Sequence, residues 1–163
     1  MKYQAYSPIV GTGYNSAILH YTANTAEIKP KSFVLVDAGG EFLNYATDIT
    51  RTFPSDGRFT PEQRVIYQMV YNVQTKTLEK VKEGVTWMEL IEFSQRTMLE
   101  ELKSNGFVKG DIDEMLKNDL SRVFCPHGLG HFVGMDVHDT PAIPKVILLS
   151  LRCFSSALNI YSF

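Results

Sequence analysis

Cysteine is scarce in this sequence of 163 residues: only Cys125 and Cys153 occur, without Cys-x-x-Cys spacing. That argues against a disulfide framework or a thiolate zinc site, and favours a reducing compartment, the cytoplasm. An excess of one charge is lacking too. Sixteen Lys and Arg against 18 Asp and Glu leave a net charge of −2 with no basic run. Neither nucleic acid nor an anionic membrane surface is therefore an expected partner. The start, Met1-Lys2-Tyr3-Gln4, has no apolar core of a signal peptide, and the apolar-rich stretch 146–163 is broken by Arg152 and by Ser and Asn. No membrane span is read from either. Internal repeats and low-complexity segments are absent as well. What is present, 44% hydrophobic and 21% charged residues, fits one soluble domain with a core of its own.

Local signals place the elements. Residues 18–21 read as a short strand after Gly11-Thr12-Gly13, and the apolar run 33–38 ending in Gly39-Gly40 as a buried strand. Residues 45–53 are β-branched and aromatic and read as the return strand, with Asn44 near the reversal and Pro54-Ser55-Asp56-Gly57 as a turn. Thr60-Pro61-Glu62-Gln63 joins an N-cap, a proline at N1 and a capping box, predicting a helix to about residue 83. Thr86-Trp87-Met88-Glu89 is a second capping box, predicting a helix to about residue 105. Val65, Ile66, Met69, Val70 and Val73 on the first helix, and more loosely Leu90, Ile91, Phe93, Thr97, Met98 and Leu102 on the second, are the candidate core stripes. Strands followed by helices predict an α+β fold, an antiparallel sheet with helices packed on one face.

Two features carry chemistry. If the chain reverses around residues 42–44, Asp37 and Asp48 fall about opposite each other on paired strands. Two like charges so placed are destabilising, and burial would raise at least one carboxyl pKa. A bound cation removes both costs, whereas the bland alternative has one aspartate facing solvent or capping a turn. Three of the four histidines (His127, His131 and His138) then lie in one segment interleaved with Gly128, Gly130 and Gly134. Any one alone is more often a satisfied structural residue. Clustered with glycines that let backbone approach a ligand, they point to a metal or proton-transfer site. A histidine-only zinc site is the competing local reading, and it leaves the two aspartates without a role.

Val36-Asp37-Ala38-Gly39-Gly40, Thr47-Asp48-Ile49-Thr50-Arg51-Thr52-Phe53-Pro54, His127-Gly128-Leu129-Gly130-His131 and Met135-Asp136-Val137-His138-Asp139 resemble the Xaa-Pro aminopeptidase and Xaa-Pro dipeptidase (prolidase) family. The resemblance runs from about Ala5 to Pro144 and implies a partial pita-bread fold, shared with methionine aminopeptidase and creatinase. It implies that Asp37, Asp48 and His131 are metal ligands, with Asp48 shared by two ions. It implies that His20 lines the substrate site, that His138 contacts the scissile peptide and assists proton transfer, and that His127 lies near the proline side. The implied ions are two Mn2+, with Co2+ or Zn2+ as substitutes. An oxygen-rich shell with one imidazole suits such ions. The implied reaction is hydrolysis of Xaa-Pro bonds in short peptides with proline at the second position, by an aminopeptidase or a dipeptidase, and relatives of this kind commonly form homodimers.

The same resemblance implies departures. The family completes its site with two glutamates on later strands, but residues 146–163 contain no Asp or Glu. Residues 1–145 are thus expected to be a partial metallopeptidase catalytic domain, clipped at both ends relative to the family, followed by a non-homologous apolar tail at 146–163. Weak metal binding and negligible peptidase activity are expected of this polypeptide. The alternative is a non-catalytic pita-bread module that binds peptides or proteins. Such modules typically lose the ligand residues, which are present here.

Overall fold

The computed structural model of the chain describes residues 2–140, so the boundary expected at 145–146 and the tail beyond it lie outside the described residues. The spine is β3 (Phe33–Ala38), in which Phe33, Val34 and Leu35 are buried. A continuous apolar run of this kind needs cover on both sides. Strand β2 (Ile9–Thr12) pairs with it antiparallel on one edge and β6 (Ile49–Pro54) on the other. A second sheet has the order β1 (Tyr3–Gln4), β4 (Gly40–Phe42), β5 (Tyr45–Ala46), all antiparallel. The two sheets share one long hairpin. Strands β3 and β4 form its outgoing arm and β5 and β6 its return, with a turn at Leu43 (φ 51°) and Asn44 (φ 66°). Positive φ at both central residues matches the twist of the flanking strands.

The return arm expected as one strand over 45–53 is broken at Thr47 and Asp48. The Thr47 N–H still donates to the Gly40 carbonyl at 3.0 Å, but the Gly40 N–H donates to the Thr47 hydroxyl, at 2.9 Å, and that hydroxyl also donates to the Gly40 carbonyl at 2.9 Å. The strand expected at 18–21 does not form. After Gly13 (φ 55°) the chain makes a 3-10 turn over Gly13–Ala17, and Ile18 and Leu19 are left exposed. Local turns take the backbone groups instead: the Ile18 N–H donates to the Asn15 carbonyl at 3.2 Å and the Thr22 N–H to the His20 carbonyl at 2.9 Å.

Two long helices follow as their start signals require: α1 (Pro61–Lys80) and α2 (Trp87–Ser104). Both capping boxes are formed. Thr60 and Thr86 accept from the backbone N–H three residues on, while Gln63 and Glu89 reach back to the cap N–H. Helix α1 ends at Lys80, about a turn before the expected stop. Gly106 (φ 81°) closes α2 in the left-handed conformation. Short helices α3 (Ile112–Lys117) and α4 (Ser121–Phe124) complete the order. Met69, Leu99, Leu102 and Met115 form the helical core, whereas Val65, expected on the buried stripe, is exposed. The stack Phe33–Phe59–Tyr67, with ring centroids 6.3 and 4.7 Å apart, ties the sheet to α1. Thr86→Ala removes the oxygen that accepts from the Glu89 N–H and is expected to cost about 1 kcal/mol, read as a lowered urea midpoint at unchanged m-value.

Candidate metal centre

The hairpin register decides how the two aspartates meet. Asp37 lies opposite Thr50, and Asp48 stands two residues before Thr50 on the return arm. The aspartates are therefore diagonal neighbours, two residues off the direct opposition expected from the sequence. With a side-chain period of two they still project from the same face. The shift follows from the turn, which centres on Leu43 and Asn44 and continues one register from β4–β5 into β3–β6.

A third side chain joins them. Between β1 and β2 the chain carries two extra residues relative to its partner, since Gln4 pairs with Gly40 but Ile9 with Asp37. Tyr6 sits in that bulge. Its hydroxyl donates in a short hydrogen bond to Asp37 Oδ1 and lies 3.0 Å from Asp48 Oδ1. Its ring edge passes so near Gly39 that a Cβ there would come within 2.9 Å of Tyr6 Cε1. Nothing in the sequence patterning singled out Tyr6. The only available signal was an aromatic residue beside an irregular joint between two short strands.

The histidine segment is folded back by an antiparallel bridge between Phe132 and Asp139. On such a bridge residues 131 and 138 are diagonal and point to one face, and their rings stack at 4.2 Å. Two contacts seat this loop. The Ala46 N–H donates to the Gly134 carbonyl at 3.0 Å, and Gly130 rests on the Trp87 ring. His131 Nε2 thereby reaches Asp48 Oδ2 at 3.1 Å and His138 Nε2 reaches the same oxygen at 3.5 Å. Asp48, His131 and His138 offer ligand atoms all within 4.8 Å of one another. His131 is largely buried, and His138 keeps 68% of its side chain exposed.

His127 lies nearby in sequence, its Nδ1 2.8 Å from the Gly128 carbonyl oxygen and its ring 3.7 Å from Cys125 Sγ. Burial pushes the Cys125 thiol above its ordinary range. His20 is exposed in the turn after the 3-10 segment, and among the described residues no hydrogen bond or ion pair ties its imidazole to the aspartates. Among the described residues, the contacts through Tyr6 and Asp48 thus gather Asp37, Asp48, His131 and His138, and these contacts do not include His20 or His127.

The electrostatics of the cluster are unbalanced. Burial pushes the Asp37 carboxyl above the ordinary range, and the Asp48 charge adds to this while the Tyr6 hydrogen bond opposes it. Burial first, then the Asp37 hydrogen bond, likewise holds the Tyr6 hydroxyl protonated. One hydroxyl hydrogen serves one carboxylate at a time. His131 Nδ1 lies 2.9 Å from the Phe132 carbonyl oxygen and its Nε2 3.1 Å from Asp48 Oδ2, so a proton on Nδ1 would leave the Nε2 lone pair available to a cation. Two carboxylates and an imidazole nitrogen converging in this way form a site that a divalent cation would fit. The donor set of carboxylate oxygens with imidazole fits Mn2+, Co2+ or Zn2+.

A sequence profile for metallopeptidase family M24 matches residues 1–161. The chain belongs to metallopeptidase family M24. It is 49% identical over 142 residues to a probable Xaa-Pro aminopeptidase of Botryotinia fuckeliana, covering 87% of this chain and 31% of that protein. Against a probable Xaa-Pro aminopeptidase of Sclerotinia sclerotiorum the identity is 48%, over 87% of this chain and 26% of the relative. Among solved structures, a variant of Escherichia coli aminopeptidase P in complex with substrate superposes with a TM-score of 0.83 at 42% identity, over 88% of this chain and 33% of that one. A zinc-substituted Escherichia coli aminopeptidase P in complex with product gives 0.82 at 43% identity, over 86% and 32%. The M24 chain thus has part of the pita-bread fold, and spans about a third of the length of the relatives it matches. Among its described residues no helix is long and apolar enough to cross a membrane.

Proposed function

We propose that this chain carries part of a dinuclear metal site for hydrolysing Xaa-Pro bonds, with Asp37, Asp48 and His131 as ligands and Asp48 shared between the ions. The observation that supports this best is the convergence on one Asp48 carboxylate of Tyr6, His131 and His138, with Asp37 held at its flank. Two Mn2+ are the proposed ions, with Co2+ or Zn2+ as substitutes. When bound they would activate water and stabilise charge developing on the peptide oxygen.

The protein's own groups do the rest. His138, the exposed member of the cluster, is positioned to meet a peptide and to hand over or accept a proton beside Asp48. His127 and His20 are proposed to line the approach taken by the substrate, a short peptide with proline second. Proline favours such a site because its missing N–H leaves no donor to satisfy there. Cytoplasmic placement and a homodimer belong to the same reading.

The resemblance assigns two further glutamate ligands, and residues 146–163 contain none. A polypeptide of residues 1–163 taken by itself is therefore expected to bind Mn2+ measurably but weakly and to hydrolyse negligibly, because catalytic groups act as a unit. Calorimetric titration with Mn2+, read beside release of the N-terminal residue from an Xaa-Pro peptide, tests both. Failure to take up Mn2+, Co2+ or Zn2+ would overturn the site. Turnover at the rate of a full-length aminopeptidase P would overturn the expected inactivity.

A further inference from the structure

We infer that Tyr6 is a positioning residue of the metal centre, setting the spacing of Asp37 and Asp48. This rests on the metal reading above and deepens it.

Three observations carry the inference. Tyr6 contacts both aspartates through one oxygen, so its hydroxyl sets where each Oδ1 can lie. Its place is built by backbone: the two-residue bulge between β1 and β2 re-aims the side chain toward β3, and the Ala5 N–H anchors the bulge to the Gly39 carbonyl at 3.0 Å. The ring is held as well, because Gly39 has no side chain to push it away. A tyrosine required only for packing would not need its hydroxyl between two half-buried carboxylates. Groups that hydrogen-bond to ligands fix their orientation, and removing one typically weakens metal affinity about 10–100-fold.

Tyr6→Phe keeps the ring and its contact with Gly39 and removes only the hydroxyl. Tyr3→Phe, on the exposed strand β1, removes a hydroxyl remote from the aspartates and serves as the control. Calorimetric titration with Mn2+ is expected to show Kd raised about 10–100-fold in Tyr6→Phe and unchanged in Tyr3→Phe. The Co2+-loaded proteins provide a readout that packing alone would not move: the visible absorption bands should change shape in Tyr6→Phe while the metal-free chain keeps its circular dichroism spectrum. Unchanged Kd and unchanged Co2+ bands in Tyr6→Phe would overturn the inference. So would an unfolded metal-free Tyr6→Phe, which would assign the hydroxyl to the fold. If the unsubstituted chain itself takes up no Mn2+, the metal reading fails and this inference falls with it, an outcome marked by silence in all three proteins.

Discussion

Asp48→Asn is expected to lower Mn2+ affinity by more than about a hundredfold while leaving the metal-free chain at least as stable as before. Asparagine keeps the size of the side chain and removes its charge. Asp48 is the hub of the cluster, since Tyr6, His131 and His138 all meet its two oxygens. The affinity loss should exceed the about 10–100-fold typical of a supporting partner, because a ligand itself is lost. Stability should move the other way or not at all. The like charge that helps to push the Asp37 carboxyl up disappears, and with it a repulsion the metal-free fold must tolerate. Mn2+ titration and thermal unfolding of the metal-free protein measure the two effects separately. A variant that lost stability yet bound Mn2+ normally would show that Asp48 serves the fold and not a metal.

Gly39→Ala carries the largest expected loss of stability, about 3 kcal/mol or more, by the overpacking of a site with no room to relax. An added Cβ would lie 1.7 Å from the Thr47 carbonyl oxygen and 2.6 Å from its carbon, both backbone atoms of the facing arm. Relief requires the arms to part where the Thr47 hydroxyl pins Gly40. Asp48 is the next residue along, so metal uptake should fall with the fold. Gly128 is the control. An added Cβ there meets nothing within 4 Å, and Gly128→Ala should stay within about 0.5 kcal/mol. Chemical denaturation of the three proteins checks the contrast. Equal stability of Gly39→Ala and Gly128→Ala would contradict the close packing of the hairpin at its kink.

Much of this architecture was legible in the residues. The capping boxes at Thr60 and Thr86 announce their helices because the signal is local, a side chain satisfying a backbone N–H three residues away. The Asp37–Asp48 pair was legible because a hairpin turn near Asn44 fixes which face both occupy, although not whether they are opposite or diagonal. His131 announced itself by its company of glycines and histidines. Tyr6 did not, because its role depends on a register jump between β1 and β2 that no local pattern encodes. Residues 18–21 misled for a related reason: strand propensity yields where local turns take the backbone groups, as Ile18 to Asn15 and Thr22 to His20 do here. Helix α3 carried a readable signal in Asp111, which caps Asp113 and Glu114.

A crystal soaked in manganese chloride and recorded for anomalous scattering tests the central claim most directly. The expected result is an anomalous peak in contact with Asp48 and His131, on the side where Asp37 and Tyr6 converge. No peak there, or manganese bound only at exposed carboxylates elsewhere on the chain, would contradict it.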